Sequence, residues 1–307
     1  MGKDSKIEWT DHTFNPWWGC KKFRPSGGCK NCYAETWATR FGFSVWGDGP
    51  RRFFGERHWN DPRRWNRRAE GNRQKALVFC GSMCDIFEGR DDLNPARLKL
   101  WHLIEETPNL IWLLLTKRPA DIGLMLPLRW AWTKGRLPPN VWFGVSASNQ
   151  KEFDYVWWTL TSLGLWDEDK RPLRAFLSLE PLLEQIDLSA ALLSIETGHQ
   201  ARWILAGGES GHDARIMPKY ALKDVRRQAR QADVPFLFKQ WGEFVPDDPA
   251  HQPLGGIPAE VLARARKYIC DGDTYRRVGK RWAGNWLDGQ QCLEFPAEFG
   301  RNVIKPS

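Results

Sequence analysis

The chain has 307 residues, 42% hydrophobic and 27% charged, with a formal net charge of +8; this is the balance of a globular protein of one large or two small domains. Its seven cysteines, an odd number, argue against a disulfide framework and for metal binding or buried thiols in a reducing compartment. No apolar run approaches the ~20 residues that cross a bilayer, and the polar opening with Asp4 and Glu8 is unlike a signal peptide, so the sequence predicts a soluble, cytoplasmic protein without a membrane partner.

The first predicted strand covers residues 7–13. After it Cys20, Cys29 and Cys32 stand in a C-x8-C-x2-C pattern with Gly27 and Gly28 between them. Thiolate is the soft ligand that iron–sulfur clusters and zinc require, and the glycines let the backbone fold around a centre. Three thiolates can hold a cluster with one iron open to a substrate. A closed zinc site needs a fourth ligand, for which Asp11, His12, Cys80 and Cys84 are candidates. A helix is predicted over 32–41. Residues 51–75 then carry nine Lys and Arg, among them Arg51, Arg52, Arg63, Arg64, Arg67 and Arg68, against three carboxylates. Phe53, Phe54, Trp59 and Trp65 are interleaved. Cations for phosphates and flat rings for bases suit nucleic acid; a solvated face whose rings reach back to the core is the alternative.

Further strands are predicted at 76–81, 110–116, 141–146, 174–179, 202–206 and 235–238, several of them continuous apolar runs as in parallel strands covered on both faces. Helices are predicted at 95–106, 120–126, 150–163, 188–196 and 219–232. This alternation implies an α/β fold, a partial or full TIM-like (β/α) barrel over 1–242. Residues 243–307 read as a small extension, with a helix at 259–265 and a strand pair near 268–270 and 275–278. Polar residues collect at the strand ends, where a (β/α) barrel places its active site. Glu180 ends an apolar strand, and a buried carboxylate needs a partner or a ligand. Lys117, Arg118 and Lys239 suit a phosphate, a carboxylate or a rim ion pair. Gly207-Gly208-Glu209 suits a ligand near the backbone or simply a tight turn. The histidines form no zinc-protease pattern, and neither a phosphate-binding loop nor a serine nucleophile elbow is present.

Several motifs occur in order over about three-quarters of the chain: Ile7-Glu8-Trp9-Thr10-Asp11, Asn15-Pro16-Trp17-Trp18-Gly19-Cys20, Gly28-Cys29-Lys30-Asn31-Cys32-Tyr33-Ala34-Glu35, Ser82-Met83-Cys84-Asp85-Ile86-Phe87, Leu114-Leu115-Thr116-Lys117-Arg118-Pro119, Asn140-Val141-Trp142-Phe143-Gly144-Val145-Ser146, Glu180-Pro181-Leu182-Leu183, Gly207-Gly208-Glu209-Ser210-Gly211 and Phe238-Lys239-Gln240-Trp241-Gly242. With them the chain resembles a phage- and prophage-associated three-cysteine family, itself distantly similar to radical S-adenosylmethionine (radical SAM) enzymes and spore photoproduct lyases. The resemblance implies a partial barrel of the radical SAM type, with Cys20, Cys29 and Cys32 holding a [4Fe–4S] cluster whose fourth iron chelates S-adenosylmethionine. An electron from an external donor would cleave that cofactor to a 5′-deoxyadenosyl radical, which abstracts hydrogen from an unactivated carbon. Ser82, Asp85, Ser146, Gly207, Gly208 and Glu209 would line the cofactor pocket, with Glu180, Lys117 and Cys84 as catalytic candidates. The expected substrate is DNA: isomerisation or rearrangement of a hypermodified thymine in phage DNA, or lesion repair. Two alternatives stay open, a zinc-stapled binding protein without catalysis and a radical SAM enzyme on a small metabolite or nucleotide. The chain departs from the usual radical SAM pattern in its eight-residue first gap, in Asn31 before the last cysteine, and in Ser148 where an acidic residue is expected.

Overall fold

The structure, a computed structural model, describes residues 5, 7–23, 26–131, 137–165, 173–193, 199–253 and 256–301. Seven strands lie parallel in chain order: β1 (His12–Phe14), β2 (Ala76–Cys80), β3 (Leu110–Thr116), β4 (Val141–Ser146), β5 (Ala175–Leu179), β6 (Ala201–Gly207) and β7 (Phe236–Gln240). The sheet curls into a half-barrel, and among the described residues β1 and β7 do not pair. The longer helices are α1 (Tyr33–Arg40), α2 (Asp61–Gly71), α3 (Asn94–Glu105), α4 (Gln150–Ser162) and α5 (Lys219–Gln231). Pro62 and Pro95 sit in first turns, where no amide donor is needed. Asn149 caps α4 by accepting from the Glu152 amide at 2.9 Å.

Two predicted elements are shorter than expected. Residues 7–10 form a turn, and the side chain of Thr10, accepting from the Phe79 amide at 3.1 Å, takes the place of a ladder bond. The helix expected over 188–196 is only Ser189–Leu192, and 194–196 lie outside the described residues.

Successive residues of a strand face opposite sides. One set packs under the helices in the larger core. The other fills the concave side: Leu77, Phe79, Ile111, Leu113, Trp142, Phe176, Trp203, Leu205 and Leu237, joined by Trp9 and Phe299 from outside the strands. The Phe176 ring lies over Gly144, where a Cβ would come within 2.1 Å of it.

The extension forms a three-stranded antiparallel sheet, β8 (Phe244–Pro246), β9 (Lys267–Cys270) and β10 (Asp273–Arg277), ordered β8-β10-β9. Asp271 and Gly272, at φ 49° and 81°, make the two-residue turn that positive φ favours in hairpins. The chain then returns along the free edge of β7. Phe238 donates to the Cys292 carbonyl at 2.8 Å, and the Phe236 amide to the Glu294 carboxylate at 2.9 Å, which occupies an edge that would otherwise pair with another chain. Among the described residues no helix is long and apolar enough to cross a membrane.

Candidate active site

Toward the carboxyl ends of the strands the concave face changes from aromatic to polar. The inward positions become Ser146, Ser178, Glu180 and Lys239, two or four residues beyond the aromatic layer. Lys239 Nζ donates to Glu180 Oε2 at 2.6 Å, while Glu180 Oε1 is buried and accepts no hydrogen bond among the described residues. Buried polar atoms are normally satisfied, so this oxygen is open to a donor from a ligand. Lys117 Nζ donates to Ser146 Oγ. Gly207 lies against this pair: a Cβ there would meet that of Lys239 at 3.4 Å and the Glu180 carboxyl carbon at 3.6 Å, both ordinary contacts. Burial holds the Lys280 ammonium below the usual lysine range, and the Lys239 charge adds to this.

The cysteine loop is seated on this rim. Glu152 accepts from the Gly27 amide at 2.6 Å and from Ser26 Oγ at 3.3 Å. Arg215 Nη2 donates to the Gly27 carbonyl at 2.9 Å and to Glu209 Oε1 at 2.6 Å. Asn31 donates to Glu209 Oε2 at 3.1 Å and to the Asp213 carbonyl at 2.7 Å. Gly28 allows the seating, since a Cβ there would stand 2.9 Å from Ser148 Oγ and 3.3 Å from Pro181. Burial raises the pKa of Glu209, but the hydrogen bonds from Arg215 and Asn31 outweigh it and hold the carboxyl below the usual range.

Cys20, Cys29 and Cys32 are free thiols, each partly buried. They are electrostatic neighbours, because the Cys29 charge acts on both of the others. Three thiols beside a polar rim are the donor chemistry of an iron–sulfur cluster. Among the described residues, however, no three His, Cys, Asp or Glu side chains are drawn together closely enough to hold a metal ion. Burial pushes the Cys20 and Cys32 thiols up.

Several expected site residues are committed elsewhere. Asp85 accepts from Thr116 Oγ1 at 2.7 Å, from the Phe87 amide at 3.1 Å and from the Lys117 amide at 3.2 Å, so it ties the ends of β2 and β3 together. Gly208 is required by the chain itself, as a Cβ would overlap the Trp241 carbonyl at 1.9 Å. Ser82 Oγ accepts from Asn15 at 2.9 Å. Cys84 is buried in the core under the helices, and burial pushes its thiol well up. Asp11 accepts from the Leu77 amide at 2.8 Å and His12 stacks on Trp65 at 4.3 Å. Both line a cleft of about 990 Å³ at the amino ends of the strands, away from the thiols.

The basic segment is divided. Arg51 is buried against Glu88, with its remaining donors on the carbonyls of Val45, Gly47 and Gly49 at 2.7–2.9 Å, so it is an internal fastener and cannot reach a phosphate. Arg52 lies over Trp18, Phe43 and Phe54 near the cysteine loop. On α2, Arg63 pairs with Glu106 and Arg64 with Asp61. Arg67 and Arg68 are exposed, and Arg68 borders the cleft at the amino ends.

Sequence reasoning missed Glu152, Arg215 and Asn15. The first had a signal: Asn149 followed three residues later by Glu152 is a capping pair, whose carboxylate here also reaches the cysteine loop. No curated protein and no solved structure matches the chain. A match over residues 4–296, which takes in the half-barrel, the thiol loop and most of the extension, makes this chain a member of the family described as protein of unknown function (DUF5131).

Proposed function

We propose that the chain is a radical S-adenosylmethionine enzyme that acts on nucleic acid. What supports this reading is the seating of the three-thiol loop on the polar rim of a parallel half-barrel, beside a buried carboxylate oxygen that accepts no hydrogen bond among the described residues. Cys20, Cys29 and Cys32 would hold a [4Fe–4S] cluster. When bound, the cluster supplies one electron, from an external donor, to S-adenosylmethionine, the chemistry that opens hydrogen abstraction from an unactivated carbon.

The chain's own residues bind and orient. Glu180 suits an ammonium or hydroxyl donor, with Lys239 offsetting its charge. Lys117, held by Ser146, offers an ammonium to a carboxylate or phosphate. Glu209 and Arg215 fix the thiol loop. A base would have to leave its duplex to reach this rim. Rearrangement of a hypermodified thymine in phage DNA, or lesion repair, is the reaction class. A structural zinc site is the second reading, because Cys84 is an electrostatic neighbour of Cys20 and could supply a fourth thiol.

Anaerobic purification with iron and sulfide quantification, followed by electron paramagnetic resonance of the reduced protein, tests this. About four irons per chain are expected, lost in Cys29→Ala, with a spectrum that changes on adding S-adenosylmethionine. Stoichiometric zinc, no cluster after reconstitution and no response to the cofactor would establish the second reading.

A further inference from the structure

Immediately after Cys32, aromatic residues recur every four positions along α1 and its end: Tyr33, Trp37 and Phe41. Residues four apart share one face of a helix, and this face is open, with Tyr33 54%, Trp37 40% and Phe41 57% exposed. The rings are held in place. Tyr33 Oη donates to the Ser82 carbonyl at 2.9 Å; Trp37 meets Phe41 at 4.5 Å and packs edge-on against the buried Trp18 at 5.2 Å. Phe53, 48% exposed, belongs to the two-residue strand that pairs with Trp17–Trp18. Arg52, next to it in that strand, lies within 4.2–5.6 Å of the ring centres of Trp18, Phe43 and Phe54, which fixes a positive charge on the Trp18 ring that Trp37 packs against. Arg40, in the last turn of α1, is exposed.

We propose that Tyr33, Trp37 and Phe41 form a stacking face for unpaired nucleobases, so that the nucleic acid engaged by this chain is single-stranded or locally opened beside the thiol loop. The inference rests on the nucleic-acid reading above and gives it a substrate form. The large exposed apolar side chains of this patch are all aromatic, whereas the others on the described surface are mixed and scattered, including Leu98, Leu124, Leu128 and Ile269. Flat rings suit base faces, which are all π surfaces. Fixed and exposed cations beside the rings complement a phosphate backbone. The arginines of α2 that sequence alone favours are weaker candidates, because Arg63 and Arg64 are already paired and Arg68 faces the far end.

The test is fluorescence anisotropy of the full chain with a labelled 20-nucleotide single strand, the matching duplex, and the same strand with abasic sites. The single strand should bind more tightly than the duplex. Trp37→Ala/Phe41→Ala should weaken it by roughly tenfold or more without changing the slope of log K against log salt, since phosphate contacts remain. The abasic strand should bind the unaltered chain about as weakly as the intact strand binds the variant. Unchanged binding by the variant, or preference for duplex, overturns the stacking face and leaves the nucleic-acid reading intact. No binding of any of the three overturns both. Self-association that the double variant abolishes, with DNA binding untouched, assigns the face to a second copy. Because Trp37 packs on Trp18, Phe41→Ser provides the same test at an exposed ring, with thermal unfolding as the folding control.

Discussion

At the scale of single residues, the rim is built from charges that tie distant segments of the chain together. Glu209 is almost completely buried, and Arg215 serves it and the thiol loop together. Its carboxyl lies below the usual range, so its contribution to stability is complete above that range and is lost as pH falls through the depressed pKa. Glu209→Gln should therefore cost about 1.5–3 kcal/mol at neutral pH, and the difference from the unaltered chain should shrink below about pH 4. Urea denaturation across pH checks this; a difference independent of pH would mean that lost packing, not charge, is responsible. Such pairs are not legible in sequence. Glu180 and Lys239 were visible as polar ends of apolar strands. The use of Arg215 by Gly27, 188 residues away, leaves no local pattern, and a buried Arg51 inside a run of exposed arginines reads as one more solvated charge.

At the scale of elements, most strands were legible because parallel strands covered on both faces are continuous apolar runs, as at Leu110–Thr116. The first was not, because the apolar residues Ile7 and Trp9 belong to a turn that feeds the concave core. The half-barrel also depends on small residues that periodicity ignores. Gly144 is the position on β4 where the Phe176 ring of β5 closes the aromatic layer beneath the polar rim, and a methyl group there would sit 2.1 Å from the ring. Gly144→Ala should destabilise the fold by about 1–3 kcal/mol through overpacking. Gly123→Ala, whose Cβ would meet Leu163 at an ordinary 3.6 Å, should be neutral or gain about 0.4–1 kcal/mol from the reduced freedom of the unfolded chain. Chemical denaturation of the pair separates the two cases, and equal effects would refute the role of the ring.

At the scale of the whole molecule, an open half-barrel must cover two edges and fill a concave face that a closed barrel would fill with its own strands. The extension covers the β7 edge and helps to fill the concave face. Residues 292–294 run along β7. Phe299 enters the concave core between Trp142 and Trp203, at ring distances of 4.7 and 5.4 Å, and is 2% exposed. Asn285 bonds Glu8 at 2.9 Å and Arg301 pairs with Asp11, which fastens the extension to the segment before β1 across the opening. The tail thus contributes to the core of the sheet. Phe299→Ala should accordingly cost about 3–5 kcal/mol, as for a large aromatic removed from a core, although it lies beyond the last strand and far along the chain from the thiols. The loss should appear in one cooperative transition, because the cavity opens against Trp142 on β4 and Trp203 on β6 together. A loss below about 1 kcal/mol, or a separate early transition confined to the extension, would show that the half-barrel is stable without its tail and that the extension is an independent unit.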